Sequence, residues 1–387
     1  MSWLGLLLPA LLLSACSHRD PQAAFDHAFH TLNDGDAKKA ANEAAEGYKD
    51  FRSAGGGWAW KFTILKARAL YRQGKYNEVL ALLDAEPNAP ASGELAVRRK
   101  LLQGLAYTSL HDFQEAERKF QETEPLCEGA SFLVCADVAG AQGTLEMQKG
   151  HYSDAQVFFV HVLEVARVNH DTLWEANTLL DLSWSALEQT HFDEALDWAD
   201  AANQIALAHN FGSVAQKSLG NMGWAYYKLG DREKAEGMFV EAAERAQKLG
   251  QVASQVGWLT DAGYGHLDAG DLQAAQQSFQ QSLELAQQIN SREDMLDART
   301  ALAFVSEKAG KTDDAKRYAD EALAMARTYG NGEDVVYPLL IEGRIAARQH
   351  DTAAAQVAFR QVQESKDTPV FLKWEAERSL ARLYEAE

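Results

Sequence analysis

Proline is scarce, with 7 residues in 387. Proline removes a backbone donor and clashes with the preceding turn, so its scarcity beside abundant alanine favours helix over sheet. Basic runs are missing altogether, and the formal net charge is −19. Phosphate binding needs clustered Lys and Arg, so nucleic acid is excluded as a partner, and the acidity reads as solubility. There is no HExxH motif, no Cys/His pair at zinc spacing, no serine elbow and no glycine-rich dinucleotide fingerprint. Gly310-Lys311-Thr312 mimics the end of a phosphate loop, but Val305 stands where that loop needs glycine, between two helices rather than after a strand. The 11 histidines are scattered, and His170, His191, His209 and His350 fall in turns. No cofactor, metal, small-molecule substrate or catalytic residue is therefore expected.

Apolar residues make up 47% of the chain, enough for a folded core, and the length exceeds one ordinary core, so two domains or a repeat array are expected. The apolar run from Trp3 to Leu13 is too short for a membrane-spanning helix, which needs roughly 20 residues. It has the length of a signal-peptide core. It ends in Leu13-Ser14-Ala15-Cys16, which resembles the bacterial lipobox, although no Lys or Arg precedes the run. The resemblance implies a signal peptide over 1–15, acylation of Cys16 and a tether over 16–22, leaving 23–387 as the folded part. An acylated cysteine anchors a protein effectively permanently. Ser17 follows the cysteine where Asp usually marks inner-membrane retention, which implies the outer membrane if the host is diderm.

The rest is a repeat of forty residues. Its signature is a turn residue, an apolar or aromatic residue, then alanine: Gly150-His151-Tyr152 with Ala155, Thr190-His191-Phe192 with Ala195, Gly230 with Ala235, Gly270 with Ala275, Gly310 with Ala315 and His350 with Ala355. Weaker copies stand at Gly35 with Ala40, Gly74 with Val79 and His111 with Ala116, making nine. A second ladder, His170, Asn210, Gly250, Asn290 and Gly330, marks the other turn of each unit. Gly and Asn accept the left-handed conformation that closes helices. Each unit therefore reads as helix, tight turn, helix, longer turn. Alanine at the ladder position permits close helix approach. Phe120, Phe159, Phe239, Phe279 and Phe359, one turn further on, are expected to fill the seam towards the next hairpin.

This pattern resembles the tetratricopeptide repeat in a forty-residue form, most closely at Asn221-Met222-Gly223-Trp224-Ala225-Tyr226-Tyr227-Lys228-Leu229-Gly230-Asp231. The resemblance implies an all-α, right-handed α–α superhelix of about nine hairpins plus a terminal helix over 370–386, binding a protein or peptide partner in a groove. Lys66, Gln103 and Gln142 stand where the family usually has Leu, so these places pack less tightly or turn to solvent. Trp58-Ala59-Trp60-Lys61-Phe62 and Leu101-Leu102-Gln103-Gly104 also look like the repeat half of bacterial CHAT-domain proteins. The caspase-like module that follows the repeats there is not in this chain. The expectation is thus a non-catalytic adaptor at the cell envelope. The alternative is the regulatory half of a peptidase or signalling enzyme.

Two sets of residues carry finer expectations. Cys127 and Cys135 remain once Cys16 is acylated, and an oxidising compartment favours a bridge between them over two buried thiols. Trp184, Trp224, Tyr264 and Phe304 recur every forty residues in the first helix of four hairpins. In the tetratricopeptide family this place points into the groove; the other reading is packing against the neighbouring hairpin. Tyr227 is grouped with the groove, and so is Lys217, which with Asn221 looks like part of a carboxylate clamp.

Overall fold

The computed structural model describes residues 20–385 except Pro87, Ser131, Phe132, Asn331, Glu333 and Asp367. Cys16 and the expected signal segment lie outside them. Twenty helices and no strand occur among the described residues. They fall into two compact units, one ending at Val162 and one starting at Leu163. The first unit holds α1 (Pro21–Asn33), α2 (Ala37–Phe51), α3 (Trp58–Arg72), α4 (Tyr76–Ala85), α5 (Glu94–Ser109), α6 (Phe113–Gln121), α7 (Glu124–Cys127) and α8 (Val134–Gln148), and α9 (Tyr152–Val168) crosses the boundary. The second holds α10 (Thr172–Glu188), α11 (Phe192–His209), α12 (Gly212–Leu229), α13 (Arg232–Lys248), α14 (Val252–Ala269), α15 (Leu272–Gln288), α16 (Arg292–Lys308), α17 (Thr312–Tyr329), α18 (Val336–Arg348), α19 (Thr352–Glu364) and α20 (Val370–Glu385). None of these helices is long and apolar enough to cross a membrane.

The tight turns do two jobs with two residues. Gly230, Gly270 and Gly310 are left-handed, and so are His111, Thr190 and His350 at the same place. The next residue donates its N–H back to the helix just ended, as Asp271 does to the His266 carbonyl at 2.9 Å. In five copies that residue is aspartate and caps the helix to come; the Asp271 and Asp351 carboxylates accept from the Ala274 and Ala354 N–H groups at 2.9 and 3.0 Å. The second ladder behaves alike at His170, Asn210, Gly250 and Asn290. Gly330 departs from the expectation: its φ is −81°, so the chain leaves α17 extended and α18 starts only at Val336.

Every alanine of the ladder, from Ala40 and Ala116 through Ala155 to Ala355, is fully buried. The five ladder phenylalanines are buried too, and Phe279 packs on Ala298 and Leu302 of the next hairpin. Each ring also fits a glycine of its own hairpin sixteen residues earlier: Gly104, Gly143, Gly223, Gly263 and Gly343. A β-carbon on Gly263 would lie 2.5 Å from the Phe279 ring. Where the phenylalanine is replaced by Ala199 or Ala319, the partner enlarges to Ser183 or Ala303. The Ser183 hydroxyl then donates to the Ala195 carbonyl at 2.9 Å. Glycine thus occurs where the ring needs the room, and a β-carbon returns where the ring is absent, as close packing demands.

Gln103 does not turn to solvent: it is fully buried and its amide donates to the Asp84 carboxylate at 2.6 Å. Cys127 and Cys135 form a disulfide across the turn between α7 and α8, with Cα atoms 5.8 Å apart. Closing so short a loop contributes roughly 2–3 kcal/mol in the loop-entropy account.

Candidate functional site

In the second unit, α10, α12, α14 and α16 are the first helices of consecutive hairpins, and each presents one aromatic ring from the same place. Trp184 is 54% exposed and Tyr264 39%, while Trp224 and Phe304 are half-buried. The rings are not free of the core. Trp224 meets Phe239 edge to face at 5.6 Å, and Tyr264 meets Phe279 likewise at 5.1 Å. Each of these two rings thus rests an edge on the core phenylalanine of its own hairpin. The fifth place in the series is Arg344 on α18, whose guanidinium lies 5.4 Å from the Phe304 ring, while Lys308 approaches it at 5.1 Å. The row therefore ends in cations.

One helical turn before the rings runs a second row: Asp181, Asn221, Asp261 and Ala301. The spacing of three puts it beside the rings on the same face. Sequence reading passed over it, although Asp, Asn and Asp recur there at the forty-residue step. Asp261 accepts a hydrogen bond from the Trp224 indole at 3.2 Å, which fixes that ring's orientation. Desolvation by the surrounding helices pushes Asp261 up to about 7, opposed by the Trp224 bond. Asp181 is also pushed up to about 7 by desolvation, with Lys217 pulling the other way. Asp181 is nonetheless exposed at the surface of α10, so it is reachable from solvent. Asp297, on α16, is raised to about 6 by desolvation and by Glu293, Asp294 and Asp334.

The remaining expected residues divide. Lys217 is exposed beside Asp181. Asn221 is buried and donates to the Leu180 carbonyl at 3.3 Å, so the two do not form a clamp. Tyr227 lies three residues, one helical turn, beyond the Trp224 place of the row; its hydroxyl donates to Asp268, a bond that pushes the phenol up to about 12. In the first unit, Glu146, His151 and Asp154 bring oxygen and nitrogen donors within 4.8 Å of one another. The Lys149 ammonium, 2.7 Å from Glu146, makes this an ion-pair cluster.

Residues 217–249 match the family model of the tetratricopeptide repeat. No curated protein matches the chain. Among solved structures, the apo form of RapI superposes with a TM-score of 0.65 at 12% identity, over 94% of this chain and 98% of that one. The apo quorum sensor NprR from B. thuringiensis gives 0.66 at 14% identity, over 88% and 96%. NprR in complex with its cognate peptide NprX gives 0.53 at 13% identity, over 95% and 99%. The chain thus has the all-α fold of tetratricopeptide-type repeat proteins, built of stacked helical hairpins.

Proposed function

We propose that this chain is a non-catalytic adaptor that holds a peptide segment of a protein partner along the ring row of its second unit, tethered to the cell envelope through an acylated Cys16. The observation that carries the binding reading is the row itself. Four large aromatic places recur at one position of successive helices, and Trp184 and Tyr264 keep much of their surface open although buried positions lie one residue away. Aromatic rings give large contact area with few rotatable bonds, and they dominate binding hot spots. Asp181 and Asp261 beside them supply acceptors for a bound backbone or a cationic side chain. NprR, which shares the fold, is known in complex with a peptide.

Trp184 is the cleanest probe, because more than half of it is exposed. Peptides selected by phage display against the whole chain should bind Trp184→Ala at least about ten-fold more weakly, on the order of the 1.4 kcal/mol or more typical of hot-spot rings. The thermal midpoint should stay within about a degree or two, as for other exposed sites. A selection in which no peptide loses affinity for Trp184→Ala or Tyr264→Ala would refute the proposal.

A further inference from the structure

The last described helix, α20, has two faces of different use. Leu372, Ala376 and Leu380 are buried in one cluster with Leu339, Leu340 and Phe359. Arg344 pairs with Glu375 at 2.7 Å, and Arg360 donates to the Tyr384 hydroxyl at 2.9 Å, so the helix is fixed on α18 and α19. The opposite face carries Val370, Phe371, Trp374, Arg378 and Ala381, all exposed, with Trp374 at 71% and Phe371 at 61%. A shallow groove of about 590 Å³ runs along it. The outermost helix of a stack needs a polar outer face to stay soluble. The first helix, α1, obeys that rule and exposes Gln22, Asp26, His27 and His30. Helix α20 does not. Among the described residues, Trp374 and Arg378 have no hydrogen-bond, ion-pair or ring partner.

Phe371, Trp374, Arg378 and Ala381 are spaced by three, four and three residues, the spacing of a seam along which two helices pack. The residues in the seam fit a second copy of the same helix running the other way. A parallel copy sets Arg378 against Arg378 and Trp374 against Trp374. An antiparallel copy sets Trp374 of each chain against Arg378 of the other, and Phe371 against Ala381. Each indole then takes a guanidinium on its face, an attraction that grows as water is excluded. Each phenylalanine meets a small residue that leaves room for it. The charges along the helix also balance: Lys373, Arg378 and Arg382 stand with Glu375, Glu377 and Glu385. Copies of a chain with net charge −19 therefore meet here without net repulsion across the contact.

We propose that α20 pairs with α20 of a second copy of this chain, antiparallel about a two-fold axis, through Phe371, Trp374, Arg378 and Ala381. Such an axis lets one self-complementary patch serve both copies. Aromatic side chains bury roughly 150–250 Å² each, so two rings per copy leave the seam below the roughly 800 Å² per partner of a standard interface. The pairing is therefore reversible and depends on concentration.

The test uses the whole chain carrying Cys16→Ser, which removes the one cysteine outside the disulfide. Sedimentation equilibrium should show monomer and dimer in exchange across the micromolar range. Trp374→Ser should weaken the dimer at least about ten-fold. It should leave the circular dichroism spectrum and the thermal midpoint unchanged, because the ring is exposed. Orientation is read by mild oxidation. A mixture of Phe371→Cys and Ala381→Cys chains should form disulfide-linked dimers, and neither variant should do so alone. A chain that stays monomeric leaves the face to some other protein and overturns the proposal. So does a dimer that Trp374→Ser fails to weaken, and so does Phe371→Cys that links to itself as readily as to Ala381→Cys.

Discussion

At the scale of single residues, the carboxylates beside the rings make the second unit sensitive to pH in an uncommon direction. Desolvation lifts Asp181 and Asp261 to about 7 in the folded state, above the usual aspartate value. Between roughly pH 4 and 7 the native state then binds more protons than the unfolded chain, so stability falls as pH rises through that window. A group with a depressed value would do the opposite. Asp181→Asn should raise the thermal midpoint at pH 7.5 and flatten its rise towards pH 5, as followed by circular dichroism. A midpoint at pH 7.5 below that of the parent chain would show that Asp181 contributes a favourable charge interaction instead, through Lys217.

At the scale of the element, the hairpin is held by the exchange of volume between a glycine and a phenylalanine. Gly263 and Phe279 illustrate it: the ring is fully buried and cannot swing away, so an added methyl must push it or the helix. Alanine normally favours a helix by about 0.5–1 kcal/mol over glycine, but overpacking costs about 1–3 kcal/mol. Gly263→Ala should therefore destabilise the chain in urea denaturation. In a Phe279→Ala background the same change should be neutral or stabilising, which mirrors the natural pairs Ser183 with Ala199 and Ala303 with Ala319. Equal effects in the two backgrounds would mean that the pair is not coupled. The turns have an equally local logic. A left-handed residue ends one helix, and the aspartate after it starts the next, so two residues suffice to reverse the chain. Thr190 holds that left-handed conformation without being glycine, at φ 63°, a position where a β-branched residue is under strain.

At the scale of the molecule, the two units offer two surfaces of different chemistry. The second presents rings beside carboxylates, and the first presents a cleft in which Arg68 lies against the Phe29 ring among both acidic and basic neighbours. The proposed anchor concerns the same scale. Replacing Cys16 by Ser should move the chain from the membrane to the soluble fraction of a bacterial host that processes lipoproteins, as judged by immunoblot after fractionation. Retention of Cys16→Ser in the membrane fraction would count against acylation as the tether.

Much of this was legible in the residues alone. A strict forty-residue recurrence of turn residue and alanine is a local code: left-handed turns, caps and close helix approach need only near neighbours, so the sequence predicts the hairpins and most of their ends. It also singles out the ring row, because equivalent places in a repeat share one environment. Other features depend on residues distant in sequence. That Gln103 is buried against Asp84, that α18 starts late after Gly330, and that Asn221 turns inward rather than towards Lys217 are outcomes of packing between helices. The cleft around Arg68 has no periodic signature, since Phe29, Arg98 and Asp137 come from three different helices and meet only once these stack. Periodicity reports what every repeat does alike; the three-dimensional structure decides what each does differently, because desolvation and unmet hydrogen bonds are set by neighbours that the period does not name.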